Sequence, residues 1–286
     1  MAYVDAIAQG ILLGGLYALF AAGLSLIFGV MRLVNIAHGD FIVLGAYIAL
    51  VTVQTTGLHP FLSLIVVVPL MAGLGYAIQR WLLNRTLGPN LLPPILVTFG
   101  LAVVIQNSLL MLFSTDNRRL AVGEIETASL SLGPISVGWL PVTTFLVAMV
   151  LIVALELLFY RTAMGRAFRA TSDDSEIARA MGVNTRHVHA VAMAISFAVI
   201  AVAGVLLASR SNFDPFSGPA RLIFGFEAVI IGGLGSLWGT LAGGIVLGVA
   251  QALGAQISPQ MQFLAGHIVF FLILAVRPRG LFPRMD

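Results

Sequence analysis

The sequence predicts an all-α protein: a polytopic membrane helix bundle of about eight transmembrane segments, one or two of them broken or re-entrant. Three observations predict it. Of 286 residues, 59% are hydrophobic and only 9% are charged, where an ordinary soluble domain carries about 25% charged residues. The apolar runs are unbroken over about 20 residues, as a helix crossing a ~30 Å hydrocarbon core requires. A barrel strand would instead alternate over about ten positions. The basic residues, all arginine apart from the histidines, fall between the runs.

The elements follow in order. Spans are predicted at Val4–Val30, Phe41–Thr55, Phe61–Leu83, Leu92–Phe113, Val142–Tyr160, Val188–Ser209 and Phe263–Val276. The first run lacks a basic n-region and is too long for a signal h-region, so it reads as a membrane helix rather than a cleaved leader. The second span is short and is expected to tilt little or to start inside the preceding turn. Between them lies "VNIAHGDFIVLG", Val34 to Gly45, with three polar side chains in six positions. Gly39 reads as the breaker there, with Asn35 or Asp40 able to cap free backbone groups. The stretch Ser114–Leu140 is the longest outer loop, read either as a small cap or hairpin or as a floppy loop.

Residues 222–253, "LIFGFEAVIIGGLGSLWGTLAGGIVLGVAQAL", do not fit one span. As a single helix they would run ~48 Å, and two full spans need about 40 residues. Glycine is a poor helix-interior residue, so "GGLGSLWG" predicts two helical pieces meeting at a break. Such breaks are tolerated at membrane depth only where protein or a water-lined cavity surrounds them.

The arginines predict topology. Arg32, Arg80, Arg85, Arg161, Arg166, Arg169, Arg179, Arg186, Arg277, Arg279 and Arg284 fall on one side, and Arg118, Arg119, Arg210 and Arg221 on the other, 11 against 4. Basic excess marks the cytoplasmic side. The N-terminus is then external, the C-terminus internal, and the broken segment enters and leaves on the outer side. The net charge of +3 does not imply nucleic-acid binding, because the arginines form no continuous basic face. Cysteine is absent, which excludes disulfides and thiolate metal sites.

The loop after the fifth span carries "TSDDSEIARAMG". Ser172 or Asp173 can cap a helix N-terminus. Asp174 and Glu176 suit its first turn, where the dipole favours negative charge. Gly182 suits its C′ position. A helix of about two turns results, with Ile177 and Met181 on one face beside Ala178 and Ala180. That apolar knob either lies on the membrane or its own bundle, or docks into a cytoplasmic partner.

Here the sequence resembles a known family. "GRAFRATSDDSEIARAMGVNTRHVHAVAMAISFAVIAVAGVLLA" resembles the cytoplasmic loop and following helix of permeases in branched-chain amino acid ABC importers. "YALFAAGLSLIFGVMRLVNIAHGDFIVLGAY" resembles that family's N-terminal motif, "AVIIGGLGSLWGTLAGGIVLGVAQAL" its glycine-rich motif, and "VRPRGLF" its tail. The resemblance implies a bacterial inner-membrane permease subunit. Its implied partners are a second homologous permease, two cytoplasmic ATPase subunits and a periplasmic substrate-binding protein. It makes Asp173, Asp174, Glu176, Ile177, Ala178, Arg179, Ala180, Met181 and Gly182 the coupling helix. The chain has no GxxxxGK[ST] phosphate loop, so ATP and Mg²⁺ are expected on the partner subunits, with no cofactor on this chain. The same resemblance extends to permeases for urea, short amides or other small solutes.

Ionisable groups inside a membrane are functional candidates by default. Glu227 faces either the pathway or the outer interface. Glu156 is expected to pair with Arg161 or to reach water. Gln106 and Asn107 act either as interhelical glue or as pathway lining. The resemblance adds a reading in which the two breaks face each other at the pathway, making Asn35, His38, Gly39, Asp40, Gly233 and Gly235 gate candidates. The bland alternative for the first break is a cytoplasmic turn. No HExxH, GxSxG or CxxC occurs, so neither catalytic residues nor a metal site is expected. "GILLGG" (Gly10–Gly15) and "GTLAGG" (Gly239–Gly244) read as close-packing surfaces. Broken helices near both ends also suit a stand-alone secondary transporter or channel.

Overall fold

A computed structural model describes residues 2–88, 90, 92–132 and 135–282; Arg284 lies outside them. Among these residues the chain runs α1 (Ala2–Met31), α2 (His38–Thr56), α3 (Leu64–Ala77), α4 (Leu92–Phe113), β1 (Ser129–Leu132), β2 (Ile135–Gly138), α5 (Trp139–Arg161), α6 (Ala163–Asp173), α7 (Ser175–Ala180), α8 (Thr185–Arg210), α9 (Gly218–Gly232), α10 (Leu237–Ile257) and α11 (Met261–Val276). Among the described residues, seven helical stretches are long and apolar enough to cross a membrane, and α11 adds a shorter apolar one of 16 residues. α9 has 15 residues, or about 22 Å, too short to span alone. The predicted spans are thus found to within a few residues.

The helices sort by burial. α1 and α8 are buried along most of their length and form the axis of the bundle. A helix apolar on every side belongs in that position. α2, α9 and α10 pack directly on them. α3, α4, α5 and α11 lie outside, each with a long exposed face. The expected small-residue surfaces make a close glycine seam. Gly10 and Gly14 of α1 meet Gly248 and Gly244 of α10, and a Cβ added at these four would lie 2.6, 2.5, 2.3 and 2.6 Å from the opposing backbone. Only glycine lets two helices approach this closely.

Some local features match the sequence reading and others correct it. The first break is made by Arg32–Ala37, not by Gly39, which sits inside the first turn of α2. The broken segment does split at its glycines: Gly233 and Gly235 have φ of 108° and 81°, a region side chains disfavour. α9 and α10 then pack against each other as a hairpin. The stretch 163–173, placed by the sequence in the loop after the fifth span, is the helix α6, capped where Thr162 Oγ1 accepts from Gly165 N at 3.0 Å. The long outer loop contains a β1–β2 hairpin, antiparallel, with Ser129 opposite Gly138. Glu156 forms no ion pair with Arg161 among the described residues.

Candidate functional site

The centre of the bundle is a junction of two helix N-termini. α1 ends at Met31, and six residues then climb back along it before α2 begins. His38, the first residue of α2, bonds through Nε2 to the Phe20 carbonyl at 2.8 Å. Phe20 lies about 16 Å up α1 from its end, and six extended residues reach about 20 Å, so the segment, with the His38 side chain reaching beyond it, is long enough for the climb. Asn35 shapes it: its side-chain oxygen accepts from Ala37 N at 3.1 Å, and its carbonyl accepts from His38 N at 3.2 Å. Thr98 Oγ1 of α4 accepts from Ile36 N at 3.3 Å.

α9 starts at the same depth. A Cβ on Gly39 would lie 2.0 Å from the Gly218 carbonyl oxygen, and one on Gly218 would lie 2.1 Å from Asp40 Oδ1. The N-termini of two helices therefore meet at the Asp40 carboxylate, where both dipoles favour negative charge. Gln106 Nε2 of α4 donates to Asp40 Oδ1 at 2.8 Å. Asn35, His38 and Asp40 are all buried. The structure thus joins Asn35, His38, Gly39, Asp40 and Gln106. Asn107, beside Gln106, points out at the bundle surface instead, with its Nδ2 bonded to Val103 O of its own helix at 2.8 Å.

Gly233 and Gly235 are elsewhere. Their turn sits at the basic end, so the first break faces the start of α9 and not the glycine-rich break. Gly280 packs on Gly233, and the tail after α11 donates from Leu281 N to Ile231 O at 2.8 Å and from Phe282 N to Gly232 O at 2.9 Å. These bonds satisfy carbonyls at the end of α9 that a helix terminus leaves free. Beside the turn lies a cavity of about 990 Å³ between the ends of α1 and α5, α6 and the tail, lined by Arg32, Glu156, Arg169, Asp173, Gly235 and Arg279 among others.

Glu227 belongs to a separate polar cluster. It is buried, and its Oε1 meets His267 Nδ1 of α11 at 2.5 Å. Nearby, the Tyr17 hydroxyl donates to Gln251 Oε1 at 2.6 Å. Among the described residues no group of three or more potential metal ligands forms.

The loop helix at the basic end is α7. Its cap is Asp174, not Ser172 or Asp173: Oδ1 accepts from Glu176 N at 2.8 Å and Ile177 N at 2.9 Å. Asp173 instead ends α6. Gly182, with φ 89°, terminates the segment as expected. Ala178 is buried, whereas Ile177 and Met181 are 63% and 80% exposed. α6 ties this helix to the bundle, since Ser172 Oγ donates to Gly29 O of α1 at 2.6 Å and Arg169 bonds the Phe159 carbonyl of α5.

Gly218 was not singled out from sequence, although a signal was present. Pro219 follows it, and proline in the first helical turn marks a helix start.

A bilayer-spanning bundle in which the starts of a long helix and a short one meet inside the bundle, beside a seam of glycines, has the architecture of a membrane permease. The chain belongs to the family described as branched-chain amino acid transport system / permease component, which matches residues 6–277. It is 28% identical to the high-affinity branched-chain amino acid transport system permease protein BraD of Pseudomonas aeruginosa, over 99% of this chain and 97% of that one. It is 29% identical to the permease protein LivH of Escherichia coli, over 97% and 94%. It is also 28% identical to the permease protein LivM of Escherichia coli, over 94% and 68%. No solved structure matches the chain.

Proposed function

We propose that this chain is the permease subunit of an ATP-driven importer that carries branched-chain or related amino acids across a bacterial inner membrane. The relatives' names support the cargo. The observation that carries the mechanism is α7: a capped helix on a basic loop, holding two large apolar side chains outward. In this reading residues 1–286 are one transmembrane permease domain, loop 161–187 is cytoplasmic and loop 114–140 is external. The 11 arginines of the basic end then lie inside, as the positive-inside rule requires.

The complex holds a second homologous permease, two cytoplasmic ATPase subunits that bind ATP and Mg²⁺, and a periplasmic substrate-binding protein. α7 seats in a groove of an ATPase. A push there moves α6, and the Ser172–Gly29 bond passes it to the end of α1. That end is where the chain breaks and climbs to the junction of α2 and α9. Asn35, His38, Gly39, Asp40, Gln106, Asn107, Glu227, Gly233 and Gly235 are the pathway and gate candidates.

The test is the double variant Ile177→Asp with Met181→Asp in the purified complex. Both side chains are exposed, so the bundle is expected to fold normally. ATP hydrolysis stimulated by loaded binding protein is expected to be lost. Stimulation equal to wild type would overturn the assignment of α7.

A further inference from the structure

We propose that the outer face of α4 is the surface on which the second permease subunit packs, with Asn107 and Ser108 lining the solute path between the two. This rests on the importer reading above. Four helices expose long faces at the bundle surface. On α3 the exposed residues include Ile65, Val66 and Leu70; on α5, Leu146, Val150 and Leu157; on α11, Leu264, Ile268 and Phe271. Those faces suit lipid. α4 differs, because Asn107 and Ser108 are exposed in the same stripe as Val104 and Met111.

Depth makes the difference matter. α4 has 22 residues, about 33 Å, and Asn107 sits about 7 Å past its midpoint, well inside a ~30 Å core. The amide bonds its own helix once, at Val103 O, which leaves its oxygen for an outside partner. An amide facing hydrocarbon without partners is costly. Gly100, on the same face, has nothing within 4 Å of where a Cβ would sit. A missing side chain there lets another helix approach closely.

The face also leads inward. α4 packs chiefly on α2. Gln106, next to Asn107, donates to Asp40 at the junction of α2 and α9. A polar track thus runs from the bundle surface to the buried carboxylate. The occupant follows from the setting. The face is mostly apolar and lies at membrane depth, so ATPases in the cytoplasm and a binding protein in the periplasm cannot cover it. A second permease can, and this chain resembles two differently named permeases of one organism, LivH and LivM of Escherichia coli.

The experiment places a photo-crosslinking benzophenone residue at Val104 or Ser108, with controls at Leu70, Leu146 and Ile268, in the intact membrane complex. A permease–permease adduct is expected from the α4 positions and lipid adducts from the controls. Permease adducts from a control helix, with only lipid adducts from α4, would overturn the inference while leaving the importer reading intact. A chain that purifies with neither a second permease nor ATPases would sink both. In a second arm, Asn107→Leu is expected to weaken permease pairing by no more than about tenfold while transport falls further than pairing. Transport at the wild-type rate would remove Asn107 from the path.

Discussion

Asp40 is a carboxylate held inside a membrane bundle by two helix N-termini and one amide. Each of these favours the same oxygen atoms, so the site depends on all three. Gln106→Leu removes the donor and leaves a buried acceptor short of a bond. Such a loss costs about 1–3 kcal/mol, which unfolding of the purified protein will register. In a double-mutant cycle with Asp40→Asn the two losses should not add, because the residues are in direct contact; simple additivity would break the pairing. Gly39→Val should be worse tolerated than most core changes, as its Cβ would fall 2.0 Å from the Gly218 carbonyl oxygen. Overpacking of this kind costs about 1–3 kcal/mol, read as a lower Tm. The sequence marked Asp40 and Gln106 as separate polar anomalies. Their pairing, across 66 positions of chain, was not legible, because side-chain pairing between helices depends on how the helices pack.

At the scale of elements, α7 is a six-residue helix, far too short to stand on propensity alone. Its cap and its anchorage hold it. Asp174→Ala should cost the cap about 1 kcal/mol and fray α7 without lowering the Tm of the bundle. Binding-protein-stimulated ATP hydrolysis should fall in that variant and return in Asp174→Asn, which can still cap. Equal activity in both would show that a formed α7 is not needed. The helix itself was legible from its capping residues and glycine. α6 was missed because its arginines read as a topology signal, while the Thr162 cap that starts it went unused.

For the whole molecule, the glycine seam between α1 and α10 leaves no room for a side chain on either helix. Gly14→Leu or Gly244→Leu should push the two axes apart, and size-exclusion chromatography should then show aggregate in place of a monodisperse peak. Leu146→Ala, on the exposed face of α5, should leave the profile unchanged. A matching outcome for seam and surface variants would contradict the central role of this seam. The glycine pattern was legible as a close-packing surface. Which helix each surface meets was decided by the bundle.

The sequence by itself determined what local physics controls. Run length and apolarity set the spans, arginine placement set the basic end, and glycines set the break between α9 and α10. These follow from the cost of exposing polar backbone to hydrocarbon and from backbone freedom at glycine. Only the tertiary structure decided that the first break climbs to mid-depth and meets the start of α9, while the glycine-rich break stays at the basic end under the tail. Both breaks carry similar local signals. Their depth depends on which helices flank them, and helix packing couples residues far apart in the chain.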